Sequence, residues 1–232
     1  SAIYYDEKYR IVQKVSELYP SGKEIVSNAY GFGNLVDRVK VKQTVGTLVT
    51  EYNKYFTYDH EGRQLKVEQE IAGDPNGKIV VFQHEYDEVG NVKREKLHGG
   101  IETREFAYNV GGMLTGVASP SFSFNLDYDQ VVLPGGTPVY SGNANALRWQ
   151  NADGVEKGYL YEYDNFGQLT SAFYKEKSGS AWVNPSNRYN VSGLSYDKHG
   201  NIRGLRRNDS GGQMLHDFDY KYGIANNGNA VK

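Results

Sequence analysis

Cysteine is absent from this 232-residue chain, and with it go disulfides, thiolate metal sites and cysteine nucleophiles; the compartment is left open, export included. Proline is scarce, at 6 residues against 27 glycines, and tryptophan and methionine number 2 each. An excess of either charge is also missing. The 26 basic and 28 acidic residues are interspersed and leave a net −2, so no basic field exists to gather nucleic acid or an anionic membrane. No apolar run approaches the about 18 residues of a membrane span. The first residues, Ser1-Ala2-Ile3-Tyr4-Tyr5-Asp6, lack the basic and apolar regions of a signal peptide. They read as the middle of a repeat, and Gly228-Asn229-Ala230-Val231-Lys232 follows a turn signal, so a fragment of a longer polypeptide is expected.

Tyrosine is what the chain has in abundance, with 20 residues beside 9 phenylalanines. At 38% hydrophobic and 23% charged residues the composition is that of a globular protein. Short segments bounded by Gly, Asp, Asn or Pro predict an all-β fold: one repeat domain over residues 1–232, built of antiparallel hairpins in a twisted sheet without long helices. The organising phrase is Tyr161-Glu162-Tyr163-Asp164-Asn165-Phe166-Gly167-Gln168-Leu169. Tyr161 and Tyr163 share one face of an arriving strand, while Leu169, Ser171 and Phe173 alternate along a departing one. Between them, Asp164 is predicted to accept hydrogen bonds from the amides ahead of it. Gly167 is predicted to take the positive φ of a type I turn followed by a bulge.

The phrase recurs. Strict Tyr-Asp-x-x-Gly copies run from Tyr58-Asp59 to Gly62, Tyr86-Asp87 to Gly90, Tyr163-Asp164 to Gly167 and Tyr196-Asp197 to Gly200, and Tyr108-Asn109-Val110-Gly111-Gly112 replaces Asp by Asn. Tyr5-Asp6-Glu7-Lys8-Tyr9 carries Tyr9 in the glycine position. In Tyr30-Gly31-Phe32-Gly33-Asn34, Gly33 reads as the glycine of a turn one residue shorter. Tyr140-Ser141-Gly142-Asn143 reads as a compressed unit feeding a strand at Leu147, and Tyr222 to Gly228 as a last unit with two extra residues. Ala72 to Gly77 turns the chain at the opposite edge, while Pro134 to Pro138 and the stretch around Trp182 and Pro185 are irregular. Residues 11–18 fit one helical face, but their β-branched residues and the turn signal after them predict a strand. Turn tyrosines at 30, 58, 86 and 108 are spaced 28, 28 and 22 residues apart, the self-similarity of a repeat array.

Tyr-Asp-x-x-Gly followed by Arg, Asn or Gln and an aliphatic residue resembles the RHS/YD-repeat family of bacterial secreted proteins, and the resemblance spans the chain. Two further phrases are similar to one RHS subgroup: Tyr140-Ser141-Gly142-Asn143 with Trp149-Gln150-Asn151-Ala152-Asp153-Gly154, and Arg188-Tyr189-Asn190-Val191-Ser192-Gly193-Leu194-Ser195-Tyr196-Asp197. The resemblance implies a long β-sheet spiralling into a hollow shell that encloses or presents other polypeptide, in a secreted or cell-surface setting. Nothing in the chain resembles the family's self-cleaving core or a C-terminal toxin.

Single-site chemistry finds little support. His60, His84, His98, His199 and His216 show no paired ligand spacing, so no metal is expected. Residues 31–36 lack the third glycine and the helix of a dinucleotide loop, and Gly22-Lys23 has no phosphate-loop glycine upstream. Around Asn151-Ala152-Asp153-Gly154, Trp149 and Leu160 stand where an EF-hand needs Asp and Glu. No cofactor is expected. Asp6, Asp59, Asp87, Asp164 and Asp197 repeat at one turn position, which marks a structural role, whereas an active site is assembled once from unlike residues.

A non-enzymatic shell segment is therefore expected, with flanking repeat polypeptide or enclosed cargo as its partner. Open strand edges near Tyr5 and Tyr220 are expected to favour edge-to-edge self-association. The alternative is a binding module that stacks exposed aromatics, Trp149 or Trp182 among them, on cell-surface glycans. A glycosidase or lyase using the turn carboxylates stands last.

Overall fold

The structure is a computed structural model and describes residues 1–222. Among the described residues it contains eighteen β-strands, no α-helix, and short 3-10 turns at His98–Gly100 and Pro185–Asn187. The chain groups into two compact units, Ser1–Phe106 and Ala107–Lys232.

The first unit is an antiparallel meander in which each strand pairs with the next: β1 (Ala2–Tyr5), β2 (Ile11–Leu18), β3 (Gly22–Tyr30), β4 (Val36–Val45), β5 (Leu48–Tyr58), β6 (Gln64–Ile71), β7 (Lys78–Tyr86), β8 (Val92–Leu97) and β9 (Glu102–Tyr108). Its register sorts side chains onto two unlike faces, because alternate residues of a strand point to opposite sides. One face carries the row Val26, Val41, Tyr52 and Ile71, and beside it Phe56, Val67, Phe82 and Leu97. The other carries charge. There Lys40 meets Glu51 at 2.6 Å, the Tyr55 hydroxyl donates to Glu70 at 2.7 Å, and Arg94 reaches both Glu85 and Glu105 at 2.9 Å. A polar row of His84, Glu95 and Arg104 interrupts the apolar face near its β9 side. In this unit only Val41 and Val67 are buried among the described residues. The described strands of this unit form a single layer.

The second unit comprises β10 (Leu114–Ala118), β11 (Phe122–Asp127), β12 (Ala146–Asn151), β13 (Glu156–Tyr163), β14 (Leu169–Ser178), β15 (Ala181–Val183), β16 (Val191–Tyr196), β17 (Ile202–Asn208) and β18 (Met214–Asp219). Neighbours pair antiparallel, and β14 pairs with both β15 and β16. Residues 128–145, between β11 and β12, fold back over one face of the sheet. Leu133, from this loop, is 1% exposed and packs with Ala146 and Leu160, with Phe173 and Trp182 around them. Gly158 makes room for it, since a Cβ there would lie 3.1 Å from Leu133 Cδ1. Asn145 is buried at the loop's end, its side-chain amide donating to the Gln130 and Thr137 carbonyls at 2.9 and 3.2 Å. A buried amide so satisfied fixes the loop's path without a desolvation penalty.

Two readings of the turns change. The turn after Tyr30 is not shortened: Asn34 (φ 61), not Gly33, takes the left-handed position, and the Asn34 amide donates to the Gly31 carbonyl as in the other turns. Asn tolerates that conformation well enough to replace glycine. Tyr9 occupies it too, at φ 59, and the Tyr5 unit closes like its neighbours. Tyr140 starts no hairpin; it lies 82% exposed in the loop that covers the core. A further unit, without tyrosine, is Asn208-Asp209-Ser210-Gly211-Gly212, which turns β17 into β18. The unit expected from Tyr222 to Gly228 lies outside the described residues beyond Tyr222.

Candidate functional site

Each turn is a small amide trap. In the Tyr58 unit, the Asp59 amide donates to the Arg63 carbonyl and the Gly62 amide to the Asp59 carbonyl, at 2.9 and 3.1 Å. This is a type I turn whose bulge falls on Gly62, at φ 81. Asp59 Oδ1 accepts from the Glu61 and Arg63 amides, each at 2.9 Å, and Oδ2 accepts from Arg63 Nε at 2.6 Å. The same double acceptance recurs at Asp6, Asp87, Asp164, Asp197 and Asp209. At Asn109 a side-chain oxygen takes the Met113 amide. The bulge glycines Gly90, Gly112, Gly167 and Gly200 have φ of 93, 77, 75 and 81. Each repeated carboxylate is thus held by its own turn's amides.

The tyrosines link one turn to the next. The hydroxyls of Tyr30, Tyr58, Tyr86 and Tyr196 donate at 2.7–3.0 Å to the carbonyls of Ile11, Val36, Gln64 and Leu169, each six residues past the preceding turn's tyrosine. Tyr128 does the same to Leu114, six past Tyr108, and Tyr163 donates to Ala144 in the covering loop. Arg10 and Arg63, just after their turns, lie over the rings of the next unit's Tyr30 and Tyr86 at 4.4 and 4.7 Å. The phrase is therefore a lattice: Asp closes a turn, Tyr bolts it to its predecessor, and Arg covers the next ring. Tyr86→Phe should cost about 1 kcal/mol, the net worth of one hydrogen bond, in chemical denaturation, whereas Tyr140→Phe, at an exposed loop tyrosine, should cost nothing measurable.

The carboxylates tie this lattice to pH. Asp6 is held below its usual range first by the Arg10 amide, and Asp197 first by the Asn201 side chain. At Asp59 and Asp87 burial pushes upward, but the amides and side chains of Arg63 and Asn91 outweigh it and the net shift is down. A carboxyl whose folded pKa is depressed adds stability above its unfolded value near 3.8, and that stability fades as pH falls through the lower folded value. The melting temperature should stay level from pH 7 to about 5 and drop on further acidification, the drop being smaller in Asp59→Asn; a rise in acid would contradict the amide traps.

In the second unit, the sheet face opposite Leu133 is an aromatic strip. Phe124 pairs with Trp149, Leu147 with Tyr159, and Tyr159 with Tyr174 across β11–β14. Trp149 and Tyr159 stack at 5.7 Å, Tyr159 and Tyr161 at 6.3 Å, and Tyr174 meets Tyr189 edge-on at 5.3 Å. Phe122, Phe124, Leu147, Trp149 and Tyr159 line an open groove of about 420 Å³. Burial pushes the Tyr161 hydroxyl up to about 12, helped by Tyr163 and Tyr159. The two tryptophans part company: Trp149 lines the groove, while Trp182 packs against the Leu133 core.

Among the described residues no cluster of side chains could hold a metal ion, and no helix is long and apolar enough to cross a membrane. No family model matches the chain, and no curated protein matches it. Among solved structures it is similar to a porin-like protein from Bacteroides uniformis ATCC 8492, at 12% identity and a TM-score of 0.34, over 89% of this chain and 92% of that one.

Proposed function

We propose that this chain is a non-enzymatic shell segment of the RHS/YD-repeat kind, secreted or displayed at a cell surface, whose apolar sheet face is turned toward enclosed polypeptide. The observation that carries the reading is the two-faced single layer of the first unit. Val26, Val41, Tyr52, Phe56, Val67 and Phe82 share one side and the Lys40–Glu51 and Arg94–Glu85 pairs the other. A sheet with one apolar face buries it against a partner in the stable arrangements known for domains, and extended apolar patches on soluble proteins mark interaction sites. The tyrosine lattice supports the same reading, because a repeat bolted only to its neighbours can extend into a long wall.

The absence of cysteine supplies the test. Single cysteines at Lys54 or Gln69, on the apolar face, and at Lys42 or Lys66, on the charged face, are introduced into the protein as it is naturally assembled. Reaction with a bulky hydrophilic maleimide should be rapid at the charged face and blocked at the apolar one, and a photo-crosslinker at Lys54 should capture polypeptide. Equal labelling of both faces would end the shell reading. A second reading, glycan stacking in the Trp149 groove, is favoured by the Trp149–Tyr159 stack; it predicts glycan-array binding that Trp149→Ala abolishes.

A further inference from the structure

We propose that Tyr174, Tyr189 and Glu176 form a guanidinium site, closed in this structure by the chain's own Arg188 and able to take an arginine side chain of a second polypeptide once the Arg188 side chain swings out. The Arg188 guanidinium lies 5.4 Å from the centre of the Tyr174 ring and 6.0 Å from that of Tyr189, and its Nη2 donates to Glu176 Oε2. The Tyr174 hydroxyl donates to the same carboxylate oxygen at 3.3 Å. The two rings stand at 82° to each other, so the planar cation meets aromatic surface on two sides and a carboxylate on a third. That is the environment suited to guanidinium, which is weakly hydrated and stacks on aromatic faces. The Tyr159 hydroxyl fixes Tyr189 in place through its carbonyl at 3.1 Å.

Arg188 fills this site imperfectly. Its Nε is buried without a hydrogen-bond partner, and so is Asn184 Oδ1 in the same segment; buried polar groups are nearly always paired. The segment is also held in conformations that residues with a side chain rarely adopt, with φ of 60, 56 and 57 at Ser186, Asn187 and Tyr189. The inference rests on the shell reading only for the source of the second polypeptide, since binding of guanidinium itself is tested without it.

The experiment uses Arg188→Ala, with Arg188→Met as a second variant that keeps the apolar stem, and ethylguanidinium as the probe. Trp149, 6.3 Å from Tyr174, reports occupancy by fluorescence, and circular dichroism confirms that each variant is folded. Expected are a lowered melting temperature in both variants, its recovery with millimolar ethylguanidinium, no recovery with ethylammonium, and binding about tenfold weaker when Glu176→Gln is added. N-acetyl-arginine amide should bind the variants and not the parent chain. A folded variant that gains nothing from ethylguanidinium, or equal gains in parent, single and double variants, would overturn the site. Either result leaves the cysteine-labelling pattern of the shell reading untouched.

Discussion

Leu133→Ala is expected to lower the stability of the second unit by about 2–5 kcal/mol, the range for emptying a leucine site in a closed core. The residue sits at 1% exposure between Ala146 and Leu160, and two features keep the hole from collapsing. Asn145 pins the loop through the Gln130 and Thr137 carbonyls, and Gly158 offers no side chain to fall inward. Val132→Ala, at an outward-facing neighbour that is 39% exposed, should change stability by a few tenths of a kcal/mol. Both tryptophans lie in this unit, so urea unfolding followed by tryptophan fluorescence reads it alone. Equal midpoints for the two variants would mean that the loop is not a structural cover.

Gly167→Val should cost about 1–3 kcal/mol through backbone strain, while Phe166→Ala, one residue earlier, should cost almost nothing. Phe166 is 91% exposed at the tip of its turn, so removing its ring empties no core. Gly167 has φ 75, and a Cβ there would also lie 3.2 Å from Asn143 Nδ2, the group that donates to the Gly167 carbonyl at 3.1 Å. Valine is among the residues least able to hold that angle. Thermal melts of the two variants check the contrast, and coincident melting would contradict the bulge geometry.

The turns were legible because their chemistry is local. Asp at the first position and a residue tolerant of positive φ at the fourth suffice to close a type I turn with a bulge, whatever surrounds it. The same logic misplaced the turn at Gly33, since Asn34 serves there as well as glycine does. It also passed over Asp209 to Gly212, where Asn208 stands in place of tyrosine. Strand positions followed from alternation, and even residues 11–18, which also fit a helical face, form β2.

The tyrosine lattice lay half in view. Spacing showed that the tyrosines repeat, but the bond from each hydroxyl to a carbonyl 14–27 residues earlier depends on which strands lie side by side. Tyr128, with no turn glycine after it, carries no local signal that its hydroxyl reaches Leu114. The second unit's core was invisible for a related reason. Residues 128–145 have no period, so nothing local separates Leu133, which fills the core, from Tyr140, which faces solvent; only a sheet lying beneath the loop does so.

Sequence alone determined the β character of the chain, the strict Tyr-Asp-x-x-Gly turns and the absence of thiol chemistry, because each depends on composition or on residues within one turn or one strand of each other. Tertiary structure decided which face is apolar, which tryptophan is core and which lines a groove, and that Arg188 lies over Tyr174. Those properties depend on register between strands and on the path of a loop, and a shift of one residue in either would exchange the faces.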